Sequence, residues 1–74
     1  MCEDLRILIE RMNAHLEAPG FLQARVIDED RRILALEFAS PEAADRYKFT
    51  LETQGVSFGL EIARDAPDTL LQYR

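Results

Sequence analysis

The fold of this chain is decided by the stretch LEFASPEAADRYKFTLETQG, residues 36–55. Its first residues alternate between apolar and polar side chains, as in a strand, and Ser-Pro-Glu at 40–42 then resembles a helix start. Serine is a favoured N-cap, proline is tolerated at the first helical position, and an acid in the first turn is stabilised by the helix dipole. The sequence therefore predicts a strand that passes directly into a helix, ending near Gln54 with Gly55 as its C-cap.

The second half of this stretch also fits a strand. Apolar side chains alternate at Tyr47, Phe49 and Leu51, and the residues at 53–55 have the composition of a three-residue hairpin loop. We favour the helix because of its start signals and because the two adjacent alanines before Asp45 are poor strand formers. Phe49 distinguishes the two structures, since it faces away from the core on a helix and inward on a strand.

The N-terminal third predicts a helix followed by a hairpin. The helix runs from Glu3 to Ala18, and its apolar residues fall at the spacing that lines one face: Leu5, Leu8, Ile9, Met12 and Leu16. Pro19 ends it, because the residue before proline is pushed out of the helical region. Strands at 21–27 and 32–39 then flank a polar turn at 28–31, and their expected core-facing residues are Leu22, Ala24, Val26, Leu34, Leu36 and Phe38.

The C-terminal third begins with a further strand, Val56 to Ala63, in which four apolar residues recur at period two. A turn is expected at 65–68. For the segment from Thr69 to Tyr73 the pattern leaves two alternatives open, a last strand or a short helical tail.

These elements predict one α+β domain over residues 1–74, in the order αββαβ with the last segment undecided. Helices on one face of an antiparallel sheet form a two-layer sandwich. If the last segment is a strand, the order αββαββ is that of a ferredoxin-like βαββαβ fold whose first strand has moved to the C-terminus. Topology alone does not assign a function.

Composition and charge narrow the possible classes of function. The chain is 47% hydrophobic and 31% charged, which is typical of a globular domain, and its net charge of −5 opposes binding to nucleic-acid phosphates. The N-terminus lacks the basic segment of a signal peptide, and no apolar run approaches the roughly 18 residues of a membrane span. We expect a cytoplasmic protein that binds neither nucleic acid nor membrane.

The inventory of reactive side chains is small. Cys2 is the only thiol and His15 the only imidazole, and thirteen residues of helix would hold them about 20 Å apart. A zinc site needs four ligands, and the acidic turn at 28–30 lacks the glycine and the distal glutamate of a calcium loop. We therefore expect a protein that is not an enzyme, with no catalytic residues, no cofactor and no metal.

The run from Leu36 to Asp45 resembles, over ten residues, the strand-into-helix passage of RNA-recognition motifs. The resemblance implies bases stacked on aromatic side chains of the helix-free sheet face. The corresponding positions here are Ile33, Ala35 and Glu37, which include no aromatic residue. RNA binding is not expected.

The remaining candidate for a functional site is a surface of the predicted sheet. The helix-free face of the predicted sheet carries several small or apolar residues, among them Ile27, Ile33, Ala35, Ser57 and Gly59, and on a helix Phe49 adds an exposed apolar group elsewhere. These six residues are the candidate interface. Single exposed apolar residues are normal, whereas a contiguous patch of them would mark an interface. We expect a non-enzymatic protein-interaction or regulatory module that forms a homodimer, its protein partner unspecified. The alternative is a small-molecule-sensing or enzyme-accessory domain that binds a ligand at a subunit interface.

Overall fold

The computed structural model describes residues 3–55 and 59–73, which form two helices and one four-stranded sheet. The elements are α1 (Glu3–His15), β1 (Phe21–Asp28), β2 (Ile33–Phe38), α2 (Pro41–Thr53), β3 (Leu60–Ala63) and β4 (Ala66–Tyr73). All strand pairs are antiparallel. Helix α1 packs against β1, and α2 packs against the other three strands. The predicted two-layer α+β sandwich is confirmed.

The last segment of the chain is a strand in the middle of the sheet. The strand order is β1-β2-β4-β3, so β4 pairs with β2 on one side and β3 on the other. Moving the first strand of a ferredoxin-like βαββαβ fold to the C-terminus gives this order. The prediction of a turn at 65–68 was wrong. Strand β4 already begins at Ala66, and only two residues separate it from β3.

Residues 41–53 form a helix, as we favoured. The hydroxyl of Ser40 accepts a hydrogen bond of 3.2 Å from the backbone N–H of Ala43 and so caps the first turn. Gln54 is the C-cap residue, and Gly55 follows it with a φ of +85°, a conformation that glycine adopts without steric cost. Phe49 is 67% exposed on the outer side of this helix.

Helix α1 ends at His15, three residues before the predicted end at Ala18. The backbone N–H of Leu16 still bonds to the carbonyl of Met12, at 3.0 Å. Beyond it, the carbonyl of Ala18 instead accepts from the N–H of Phe21 at 3.1 Å, in the turn that leads into β1. Pro19, inside this turn, cannot take part in a helical hydrogen-bond ladder.

Strand β1 contains two irregularities that its sequence pattern does not reveal. Its register against β2 shifts between Phe21 and Gln23 and again between Val26 and Asp28. Leu22 and Ile27 are the extra residues, and they are 64% and 44% exposed. The prediction that Leu22 faces the core was wrong, because an extra residue in a bulge breaks the alternation of faces.

β1 is an edge strand of the described sheet, and a side chain of α1 forms hydrogen bonds to its outer edge. The amide of Asn13 accepts from the N–H of Ala24 at 2.7 Å and donates to the carbonyl of the same residue at 3.1 Å. Asn13 thus occupies the two backbone groups through which another strand would pair at this position. The bulges and this side chain protect an edge that would otherwise be available for strand pairing.

The core lies between the sheet and the two helices. Phe38 is fully buried at its centre, with its ring centroid 5.7 Å from that of Phe21 and 5.5 Å from that of Tyr47. The first pair meets edge to face, an arrangement that adds about 0.5–1.5 kcal/mol to the burial of apolar area. The other buried residues of this cluster are Ala24, Leu36, Ala44 and Leu70.

Gly20 lies in the segment before β1 and packs closely against helix α2. Its φ is +80°, and a Cβ placed on it would lie 2.8 Å from the Cβ of Ala43. Its carbonyl accepts a hydrogen bond of 2.7 Å from the N–H of Ala39. Glycine is required here both by the backbone conformation and by the close approach of α2.

Candidate functional site

One face of the sheet is covered by neither α1 nor α2, and we call it the open face. The strand register places Ile33 between Asp28 and Tyr73, and it places Ala35 between Arg25 and Leu71. Following the register along each described strand, the open face includes Gln23, Arg25, Asp28, Ile33, Ala35, Glu37, Glu61, Thr69, Leu71 and Tyr73.

The end of the open face near the start of β1 is polar. A carboxylate oxygen of Glu37 accepts a hydrogen bond of 2.6 Å from the side-chain amide of Gln23. The other oxygen accepts one of 2.7 Å from the guanidinium of Arg25. These hydrogen bonds, that of Gln23 first, hold the pKa of Glu37 below its usual value of 4.5.

The lowered pKa of Glu37 makes part of the folding stability dependent on pH. A carboxyl group whose pKa is lower in the folded than in the unfolded chain contributes stability above its unfolded pKa, and this is lost as the pH falls through the folded pKa. We expect Glu37→Gln to lower the free energy of unfolding at pH 7 by less than about 1 kcal/mol, as for most surface pairs. Urea denaturation at several pH values should show the difference from wild type shrinking below pH 4.5. A difference independent of pH would contradict this.

The opposite end of the open face, which we call the apolar end, contains Ile33, Ala35, Leu71 and Tyr73, with Asp28 paired to Ile33 at its margin. Ile33 and Ala35 lie there as predicted, but both are buried. Tyr73 is 40% exposed, and Ile27, the bulge residue next to Asp28, is 44% exposed. The accessible apolar surface therefore belongs to the neighbours of the predicted residues as much as to those residues.

The other three candidate interface residues lie in different places. Gly59 is opposite Tyr73, and its carbonyl accepts a hydrogen bond of 2.9 Å from the N–H of Tyr73. A Cβ on Gly59 would lie 2.9 Å from the Cβ of Tyr73, so glycine allows the two strands to meet here. Ser57 lies outside the described residues. Phe49 is on the helical layer and therefore does not belong to the open face.

Two residues of the apolar end were missed by the sequence interpretation. Leu71 and Tyr73 are central to it because β4 is an inner strand. The segment does not alternate clearly in sequence, because Leu70 and Leu71 are adjacent and the buried Gln72 is polar. Because the sequence left this segment undecided between a strand and a helix, these residues were not included in the candidate interface.

Comparison with protein-family models, with curated proteins and with solved structures gives no match. Within residues 3–55 and 59–73, no helix is long and apolar enough to cross a membrane. Across the same ranges, no three histidine, cysteine, aspartate or glutamate side chains are grouped so that they could hold a metal ion. The open face combines an apolar end with a polar end whose side chains are hydrogen-bonded to one another.

Proposed function

We propose that this protein is a non-enzymatic interaction or regulatory module that self-associates through the apolar end of its open face. The observation that supports this is Tyr73, which is 40% exposed and pairs with buried Ile33 on the open face, together with Ile27, a 44% exposed bulge residue at the same end of the sheet. Aromatic residues are enriched in the cores of protein interfaces, where their large area is removed from water.

The size of the chain favours such an association. A domain of about 60 residues buries only about 60% of the surface that its unfolded chain exposes, so its own core gives limited stability. Binding of a second copy to the folded state alone adds stability in proportion to the logarithm of concentration. Covering Ile27 and Tyr73 would also remove part of the remaining apolar surface from water.

A two-fold symmetric pair would place the same patch of both copies in contact. Four strands at a spacing of about 4.8 Å and six residues at a rise of about 3.4 Å give a face of about 400 Å². Even if the whole open face of both copies were covered, only about 800 Å² would be removed from water, which is less than the roughly 1,200–2,000 Å² of stable specific complexes. The proposed dimer is therefore weak and reversible.

The substitution Ile27→Glu tests this proposal, with Leu22→Glu as its matched control. Both residues are exposed aliphatic bulge residues of β1, but Ile27 lies at the end of β1 that is next to Ile33 and Tyr73, whereas Leu22 lies at the opposite end. We expect wild type to sediment increasingly as a dimer between about 10 µM and 1 mM, a range that corresponds to weak association. Ile27→Glu should weaken the dimer at least tenfold, because a carboxylate would be buried without a partner.

Leu22→Glu should leave the dimerisation constant unchanged. A wild-type chain that stays monomeric up to the highest concentration would refute the proposal. Equal weakening by both substitutions would refute the assignment to the apolar end, since a general effect of added negative charge would then explain the result.

A further inference from the structure

A cleft of about 110 Å³ lies on the other layer of the molecule, between helix α2 and the segment that joins α1 to β1. Three residues of that segment and four of α2 line it: Glu17, Ala18, Pro19, Ala43, Arg46, Tyr47 and Thr50. No residue of the open face is among them, so the cleft is separate from the proposed dimer surface.

The walls of the cleft are held in place by the surrounding structure. Gly20 anchors one wall, because it packs closely against Ala43 and its carbonyl bonds to the N–H of Ala39 at 2.7 Å. Tyr47 anchors the other, since its ring lies 5.5 Å from that of buried Phe38. Pro19 adds a rigid backbone. The cleft is preformed, which lowers the entropy lost when a ligand binds.

The cleft has an apolar floor and two opposite charges. Glu17 comes from the segment before β1 and Arg46 from α2, and both are exposed to solvent. They do not form an ion pair with each other, and neither has an ion-pair partner among the described residues. The hydroxyl of Thr50 does not point at a ligand, because it donates to the carbonyl of Arg46 at 2.9 Å.

We propose that this cleft binds a free α-amino acid with an aliphatic side chain. Its carboxylate would pair with the guanidinium of Arg46, its ammonium group with the carboxylate of Glu17, and its side chain would lie against Pro19 and Tyr47. One anion and one cation on the same small molecule match the two unpaired charges of the cleft, and each charged contact strengthens binding.

The size of the cleft agrees with this ligand. The volume of about 110 Å³ limits the apolar group that the cleft can hold to a small one, such as an aliphatic side chain. Larger ligands require about 300–1,000 Å³. A peptide is a poorer fit because its terminal charges are separated by the chain. The alternative of a small-molecule-sensing domain thus gains a specific site, within one chain instead of between subunits.

Titration of the ¹⁵N-labelled protein with L-leucine, followed by NMR, tests this inference. We expect amide shifts centred on Ala18, Ala43 and Tyr47, with a dissociation constant of about 1 mM for so open a site. N-acetyl-leucine, which lacks the ammonium group, and leucinamide, which lacks the carboxylate, should each bind about tenfold more weakly, the effect of losing one charged hydrogen bond.

Two charge-neutralising variants identify which residue binds which group. Glu17→Gln should weaken leucine about tenfold but leave N-acetyl-leucine unchanged, and Arg46→Gln should weaken leucine equally but leave leucinamide unchanged. Arg11→Gln removes an exposed arginine that does not line the cleft, and it should have no effect on any ligand. The spectra of the variants themselves show that they are folded.

Three results would overturn the inference: no shift at saturating leucine, equal affinity for leucine and its two blocked derivatives, or shifts located away from the cleft. The outcome is independent of self-association. Ile27→Glu should bind leucine as wild type does, so a failure of the dimer proposal and a failure of the amino-acid site can be told apart.

Discussion

Phe38→Ala should lower the free energy of unfolding by about 3–5 kcal/mol, the range for truncating a buried aromatic residue. Phe38 is fully buried and contacts the rings of both Phe21 and Tyr47, so its removal opens a cavity at the centre of the core. At about 0.05–0.15 kcal/mol per residue, a chain of 74 residues has a total stability of about 4–11 kcal/mol. The substitution should therefore remove between about a quarter and all of the wild-type stability, which urea denaturation followed by circular dichroism measures.

Phe49→Ala is the matched control for this experiment. The same side chain is removed, but Phe49 is 67% exposed on the outside of α2, and alanine is the better helix former. We expect a change within about 0.5 kcal/mol, as for most surface substitutions. A large loss at Phe49 would instead support the strand alternative for this segment, in which Phe49 faces the core.

Gly20→Ala should lower the free energy of unfolding by about 2–5 kcal/mol. The new Cβ has to be accommodated at a φ of +80°, and it meets the Cβ of Ala43 at 2.8 Å, well inside van der Waals contact. A left-handed conformation costs a non-glycine residue about 1–2 kcal/mol, and overpacking typically adds about 1–3 kcal/mol. Thermal and urea denaturation measure the sum.

Gly55→Ala separates these two contributions. Gly55 has a similar φ of +85°, but no atom of the described residues lies within 4 Å of the position that a Cβ would take, so the substitution should cost only about 1–2 kcal/mol. In addition, Ala43→Gly should recover part of the lost stability in the Gly20→Ala background, because it removes the Cβ atom with which the new side chain collides. Equal losses at Gly20 and Gly55, with no recovery, would show that contact with α2 does not matter.

Local signals in the sequence predicted the helical layer well. Ser40 and the proline after it mark the start of α2, and the structure shows the expected hydrogen bond from the N–H of Ala43 to the Ser40 hydroxyl. These signals are reliable because they depend only on neighbouring residues. The end of α1 was less accurate, since the proline forbids a helix at Ala18 but does not determine how many residues earlier the helix stops.

Pairing between distant strands was harder to predict. The pattern at 69–73 could not show that β4 lies between β2 and β3, because that position depends on contacts with residues about ten and thirty-five positions away. For the same reason the bulges at Leu22 and Ile27 were not predicted, since an extra residue is defined only relative to the partner strand.

The candidate surface was predicted in part. Period-two alternation correctly placed Ile33 and Ala35 on the helix-free face, but it gives no information on burial by neighbouring strands. Tyr73 was missed together with its strand. The cleft was also missed, because its lining comes from two segments that only the fold brings together, around Pro19 and around Arg46.

The protected edge of β1 limits the growth of assemblies in which copies of this chain pair strand to strand. A fibril needs two open edges per molecule, so that each copy added leaves a template for the next. With Asn13 bonded to Ala24 and two bulges along the same strand, β3, which is four residues long, is the less protected of the two edge strands among the described residues. Two copies joined there would present only protected edges, and polymerisation would stop at the first step.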